Sequence, residues 1–90
     1  MSMSTKQRER TISGLRSYLR SLTNRRSSGT VTADDAHTYL TRKGVREQMV
    51  RTRLSFINSA FSNGFEVVGE IASNRPAAKG RYISEWASAS

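Results

Sequence analysis

The apolar residues of this chain repeat with two different periods, and the change between them limits the folds that the chain can adopt. In three successive segments before residue 63, apolar side chains recur at three- and four-residue steps, which is typical of one face of an α-helix. After residue 64 the apolar residues alternate, as they do in a β-strand that buries one face. The sequence therefore predicts an α+β fold in which three helices precede a β-hairpin.

Turn and cap residues set the expected bounds of these elements. We expect helices over about residues 5–22, 33–43 and 46–62, a short strand at 30–32, and strands over 65–71 and 81–86. Thr32 can accept a hydrogen bond from the Asp35 backbone N–H at the start of the second helix, and Gly44 suits the left-handed residue that ends it. Gly14 costs the first helix up to about 1 kcal/mol relative to Ala, which indicates a close packing contact there.

The period also predicts which side chains face inward. The third helix is expected to turn Val50, Leu54, Ile57 and Phe61 toward the core. In the first strand of the hairpin, Phe65, Val67 and Ile71 are expected to share one face.

The length of 90 residues allows one domain with a single core. We expect this domain to span residues 1–90, with flexible ends at 1–5 and 87–90. The sequence has no cysteine, which excludes disulfides and thiolate metal sites, and no apolar run long enough to cross a membrane. Because its first residues also lack the apolar region of a secretory signal, the expected location is the cytoplasm.

Basic residues outnumber acidic residues by 15 to 7, which gives a formal net charge of +8. Such a balance favours binding to polyanions, of which nucleic acid is the commonest and an anionic membrane surface the next. The alternative interpretation is that the charge only keeps a small protein in solution.

Residues typical of catalytic or metal sites are few. His37 is the only histidine, and a single histidine without cysteine does not favour a zinc site. Asp34 and Asp35 are adjacent, so they lie on different faces of a helix, and the positive end of the helix already explains them. No Gly-rich phosphate loop or nucleophile elbow occurs. We therefore expect neither enzymatic activity nor a cofactor or metal.

The order of the expected elements resembles that of winged helix-turn-helix domains, over about residues 30–86 with the first helix as support. The closest stretch, GVREQMVRTRL at residues 44–54, is similar to the turn and recognition-helix pattern of that family. Two features depart from the pattern. Arg46 stands where the family often has a Ser or Thr cap, which weakens the expected helix start, and the third helix is about one turn longer than usual.

The resemblance implies a small protein that binds double-stranded DNA, either as a transcriptional regulator or as an architectural factor in replication or recombination. The third helix (46–62) would lie in the major groove, where Arg51 would read guanine and Gln48 adenine. The wing (72–81) would meet the backbone or the minor groove, and a basic arm of Lys6, Arg8 and Arg10 could join it. The implied DNA contacts are Arg46, Gln48, Arg51, Thr52, Ser55, Arg75, Lys79 and Arg81.

Other partners stay open from the sequence. The main alternative is a winged helix that docks on an acidic surface of a polymerase or nuclease, and exposure of an apolar patch at Met49 and Phe56 would favour it. The first helix is the candidate surface for a homodimer. RNA binding and membrane association have less support, because the aromatic residues form no stacking sheet and the first helix carries no bulky membrane-seeking residues.

Overall fold

Three helices and a three-stranded antiparallel sheet make up the described part of the chain, residues 4–89 of a computed structural model. The elements are α1 (Thr5–Arg25), β1 (Thr30–Val31), α2 (Ala33–Arg42), α3 (Val50–Phe61), β2 (Phe65–Ala72), a single 3-10 turn (Pro76–Ala78) and β3 (Tyr82–Ser88). The α+β class predicted from the change in period is confirmed. Within residues 4–89, no helix combines the length and the apolar character needed to cross a membrane.

The sheet has the strand order β1-β3-β2, so the last strand lies in the centre. β1 contributes only two residues, and its Val31 pairs with Trp86. The register of β2 against β3 shifts between Val67 and Gly69, where a β-bulge adds one residue to β2. Val67 pairs with Trp86 and Ile71 with Ile83, and these two β3 residues point to opposite faces because three positions separate them. The prediction that Ile71 shares a face with Val67 is therefore wrong, since alternation cannot reveal an inserted residue.

The helices and the sheet share one apolar core. Its buried members are Leu15, Leu19, Val31, Ala36, Leu40, Val45, Phe56, Ile57, Ala60, Phe61 and Phe65. The Phe61 ring stacks on Trp86 with a centroid distance of 4.6 Å and meets Phe65 edge-on at 5.4 Å. These aromatic contacts fix the C-terminal end of α3 against the sheet.

The close packing expected at Gly14 is confirmed. A Cβ atom at this position would lie 2.3 Å from the Tyr39 hydroxyl oxygen, and the Tyr39 ring in turn packs on Tyr18 at 5.1 Å. The missing side chain therefore lets α1 approach α2 closely.

The start of α3 differs from the prediction by four residues. The helix begins at Val50 rather than near residue 46, so residues 43–49 form a linker after α2 and the helix has 12 residues. Arg46 offers no capping oxygen, and the residue that does precede the helix, Met49, makes no side-chain cap hydrogen bond. The extra turn of helix expected from the sequence is therefore absent.

The inward face of α3 is also rotated from the predicted one. Val50 is 57% exposed and Leu54 is 49% exposed, whereas Ile57 and Phe61 are buried as expected. The positions that the first two were expected to fill are taken by Phe56 and Arg53, each only 1% exposed. The apolar period was misleading here because a charged residue occupies the core side of the helix.

Both chain ends carry regular structure where they are described. The Ser4 hydroxyl accepts from the Gln7 backbone N–H, and the Gln7 side chain accepts from the Ser4 N–H, which forms a capping box for α1. At the other end residues 87 and 88 belong to β3, and the Ala89 N–H donates to the Gly64 carbonyl at 2.9 Å. Of the ends expected to be flexible, residues 1–3 and 90 lie outside the described residues.

Candidate nucleic-acid interface

The linker between α2 and α3 has a defined conformation. Gly44 ends α2 with a φ of 82°, and across it the Val45 N–H donates to the Leu40 carbonyl at 3.0 Å, as in a Schellman cap. Val45 is buried, and a second turn follows in which the Met49 N–H donates to the Arg46 carbonyl at 3.0 Å. The linker therefore leaves the side chains of Arg46 and Gln48 in solvent, just before the first turn of α3.

The buried Arg53 guanidinium holds the linker against both helices. Its Nε donates to the Arg46 carbonyl at 3.2 Å and its Nη2 to the Val45 carbonyl. On α2 it donates to the Thr41 hydroxyl at 3.0 Å, to His37 Nδ1 at 3.1 Å and to the His37 carbonyl at 3.3 Å. All of these acceptors are neutral, so Arg53 carries its charge into the core without a carboxylate partner.

One of the hydrogen bonds of Arg53 requires a neutral histidine beside it. Burial, followed by the charges of Arg75 and Arg53, lowers the pKa of His37 to about 4, although Asp34 and Glu47 act in the opposite direction. At neutral pH the imidazole is therefore uncharged. Its Nδ1 can accept a hydrogen bond from Arg53, while Nε2 carries the ring proton. Burial is also the main cause that lowers the pKa of Arg53.

The loop between β2 and β3, residues 73–81, is anchored to the start of α2. The Asp34 carboxylate accepts from the Ser73 hydroxyl at 2.8 Å and from the Asn74 N–H at 2.8 Å, and Ser73 is buried. The Ser73 N–H in turn donates to the Arg81 carbonyl at 2.7 Å, which closes the loop. This anchor places Arg75 where its charge acts on both His37 and Arg53.

The residues expected to contact DNA divide into two groups by exposure. Exposed side chains are those of Arg46, Gln48, Arg51, Lys79 and Arg81, and half-buried ones are those of Thr52, Ser55 and Arg75. Arg75 lies close enough to His37 and Arg53 for its charge to lower the pKa of both. Within residues 4–89, no hydrogen bond or ion pair joins Lys79 to α3.

Two arginines of α1 orient α3, and Ser55 is engaged by one of them. Arg8 Nη2 donates to the Ser55 hydroxyl, and its guanidinium lies 5.2 Å from the centre of the Phe56 ring. Arg16 donates to the Ser59 carbonyl at 2.8 Å and to the Ala60 carbonyl at 3.2 Å, at the negative end of the α3 dipole. The Ser55 hydroxyl expected to meet a base or a phosphate is thus held on the α1 side of the helix.

Sequence reasoning missed Arg53 and Arg16 as structural residues. A charged residue in an amphipathic helix is normally assigned to solvent, and no local pattern marks the carbonyls that these two side chains reach. Arg8 was expected in a basic arm, but its contacts with Ser55 and Phe56 lie 47 and 48 positions along the chain. Only the tertiary packing brings such partners together.

The charges of the molecule are separated along the fold. Five of the seven acidic residues lie in the first turn of α2 or in the sheet strands, namely Asp34, Asp35, Glu66, Glu70 and Glu85. Residues 42–54 contain one acidic residue, Glu47, and four exposed basic ones, Arg42, Lys43, Arg46 and Arg51. α1 is also basic, with six basic residues and one acidic residue, Glu9. The end of α2, the linker and the start of α3 form a second cationic surface.

Apolar side chains interrupt this cationic surface. Met49, Val50 and Leu54 are all at least 40% exposed, whereas Phe56, named with Met49 in the sequence-based alternative, is buried. The expected Met49–Phe56 patch does not form, and an apolar strip of Val50 and Leu54 stands beside Arg51 instead.

A cavity of about 340 Å³ lies between the start of α2 and the sheet. Its polar lining is already paired, because Asp35 binds Arg26 in a bidentate ion pair and Asp34 binds the hairpin loop. Among the residues that the structure describes, no group of three His, Asp or Glu side chains is placed to hold a metal ion. The cationic surface is thus the stronger candidate for a functional site.

Searches against family models, curated proteins and solved structures found no match to this chain. The fold and the site together define an α+β domain of three helices and a three-stranded antiparallel sheet, with a cationic linker and helix start.

Proposed function

We propose that this chain is a winged helix domain that binds double-stranded DNA, with α3 in the major groove and residues 73–81 as the wing. The element order is the one expected from the resemblance: a helix, a short strand, two helices and a hairpin. The central place of β3 supports this assignment, because it lets β1 tie the hairpin to the helices. A regulator of transcription or an architectural factor in replication or recombination would need no more than such a domain.

The observation that carries the proposal is the exposed Arg51 on the outward side of α3, within a cationic surface. Arg51 is the second residue of the helix and lies on the side opposite the buried Arg53 and Phe56. A guanidinium in this position can donate to guanine O6 and N7 in the major groove. Arg46 and Gln48 precede the helix, so they are better placed for the phosphates that border the groove.

The hairpin loop would act as a second set of backbone contacts. Lys79 and Arg81 are exposed, and Arg75 is half-buried beside the linker. Since the anchor on Asp34 holds the loop against α2, its cations approach the duplex in a fixed relation to α3. Such contacts supply affinity rather than sequence choice.

Fluorescence anisotropy with labelled duplexes tests the proposal, using Arg51→Ala and Arg25→Ala as a matched pair. Both variants remove one exposed arginine and the same charge, but Arg25 lies at the far end of α1. We expect Arg51→Ala to weaken binding by about 1–3 kcal/mol and to relax the choice of one base pair. Arg25→Ala should lower the affinity slightly and equally for all duplexes. Equal losses for the two variants on every duplex would show that α3 is not the reading element.

A protein-binding winged helix is the second candidate, and the exposure of Val50 and Leu54 favours it. In that case the chain would dock on an acidic surface with an apolar groove, such as that of a polymerase or nuclease. DNA binding driven by phosphate contacts must weaken steeply as salt rises. Failure to bind any duplex even at about 50 mM salt would therefore reject the first candidate in favour of the second.

A further inference from the structure

We propose that Val50 and Leu54 read thymine methyl groups in the major groove, which makes them specificity-determining residues. This inference rests on the proposed DNA binding and adds the base that the apolar part of α3 recognises. The two side chains are 57% and 49% exposed, although the other large apolar residues of α3 are buried. They are four residues apart, so they stand on the same side of the helix about 6 Å apart along its axis.

The position of the strip on α3 places it beside the arginine that would read guanine. At about 100° per residue, Leu54 falls between the buried Phe61 and the exposed Arg51 around the helix. Arg8 packs on the other flank of α3 through Ser55 and Phe56. The strip and Arg51 therefore share the solvent side that α1 leaves open.

The strip also faces the hairpin rather than α1. Phe61, next to Leu54 around the helix, stacks on Trp86, and Val67 pairs with Trp86 on the same face of the sheet. Val67 is itself 53% exposed, so the N-terminal half of α3 does not cover this part of the sheet. Val50, Leu54 and Val67 are therefore all open to solvent.

The charges around the strip indicate the chemistry of its occupant. Arg46 in the linker and Arg51 beside the strip are exposed and only Glu47 opposes them in this stretch, so the occupant is anionic. It must also present small apolar groups between its anionic parts. The major groove of DNA does so at each thymine, whose C5-methyl group lies between the two phosphate backbones. The spacing of about 6 Å is close to two base-pair steps of about 3.4 Å, so the pair can meet thymines that are two base pairs apart.

Deoxyuridine substitution tests this inference, because it removes the methyl group and leaves every hydrogen-bonding group in place. The full chain is first used to select duplexes from a random pool, and each thymine of a selected duplex is then replaced in turn. We expect about 3- to 10-fold weaker binding at one or two positions and no change at the others. At one of these positions Leu54→Ala should bind the thymine and deoxyuridine duplexes with equal affinity, close to that of the unchanged chain for the deoxyuridine duplex.

Val68→Ala is the matched control, since Val68 is 53% exposed but lies in the β2 bulge away from α3. It should keep the preference for thymine, and circular dichroism checks that both variants are folded. Equal affinity for thymine and deoxyuridine at every position would overturn the inference. A Leu54→Ala variant that keeps the preference at every position, or a dimer that this change dissociates, would also overturn it. If the inference fails in one of these ways but the chain still binds DNA in a salt-dependent manner that requires Arg51, the proposed function remains intact. Failure to bind any duplex would end both.

Discussion

Replacing Arg53 with Met tests whether the buried guanidinium holds the linker in place. The substitution keeps most of the side-chain length but removes every donor, so five hydrogen bonds to neutral acceptors are lost. Two opposing effects decide the outcome. Removing an unpaired charge from the core is favourable, whereas each buried acceptor left without a partner costs about 1–3 kcal/mol.

The exposure of the acceptors shows which effect is larger. Arg46 and Thr41 are exposed, so water can replace the lost donor at both, but Val45 is buried and His37 is half-buried. The Val45 carbonyl and the His37 Nδ1 atom lose their donor, whereas the His37 carbonyl still accepts within α2. These two losses and the loss of linker geometry together exceed the relief of desolvation. We therefore expect Arg53→Met to lower the free energy of unfolding by about 2 kcal/mol, which is a large part of the roughly 5–10 kcal/mol typical of such a domain.

Urea unfolding followed by fluorescence of Trp86, the only tryptophan, measures this loss. Arg51→Met is the control, because it makes the same substitution two positions away on the exposed side of α3 and should change stability by less than about 0.5 kcal/mol. In thermal unfolding the difference of about 2 kcal/mol corresponds to roughly 8–16 °C. If the two variants had the same stability, the hydrogen bonds of Arg53 would contribute nothing net and the linker would be held by Val45 alone.

Two further predictions follow from the core. The pKa of His37 falls from 6.5 to about 4 on folding, so between these pH values the unfolded chain binds more protons than the folded chain. The free energy of unfolding should therefore decline as the pH falls from about 6.5 to 4. Above pH 6.5 this group should have no effect on stability. The full pKa shift would correspond to about 3 kcal/mol, and the half-exposed position of His37 reduces this to about 1–2 kcal/mol. His37→Asn should remove that part of the pH dependence when stability is measured by urea unfolding. An unchanged pH profile in the variant would exclude His37 as its source. Gly14→Ala should destabilise the chain by about 1–2 kcal/mol despite its better helix propensity, because its Cβ would lie 2.3 Å from the Tyr39 hydroxyl oxygen. Adding Tyr39→Phe to Gly14→Ala removes that oxygen, so the double variant should recover most of the lost stability in thermal unfolding. If the destabilisation of the double variant were the sum of those of the two single variants, the proposed clash would be contradicted.

The sequence predicts the elements of this fold better than their details. Period and caps place α1, α2 and the hairpin because these signals are local. The start of α3 is not encoded in the same way, since no capping residue stands at Arg46 or at Met49 and the turn between them decides where the helix begins. The bulge in β2 is equally hidden, because consecutive valines at 67 and 68 suit a strand in either register.

The candidate site shows the same division between local and tertiary signals. Arg46, Gln48 and Arg51 are exposed as expected, because polar residues around a helix start usually are. Arg53 has the same residue type and lies two positions from Arg51, yet its environment is opposite. The difference between Arg51 and Arg53 is that Arg53 reaches the carbonyls of the linker. These carbonyls come together only when α2 and α3 have packed.

The role of the arginines in the fold determines how salt experiments on this chain can be interpreted. Arg8, Arg16 and Arg53 all fix α3 through hydroxyl, carbonyl, imidazole or aromatic partners, none of which carries a negative charge. In residues 4–89 the one ion pair joins Arg26 to Asp35, away from α3. Added salt screens charge pairs far more than hydrogen bonds to neutral groups, so it should leave the orientation of α3 unchanged. A steep salt dependence of DNA binding would then measure the number of phosphate contacts that the exposed cations make, rather than a loss of structure in α3, the helix proposed to read the bases.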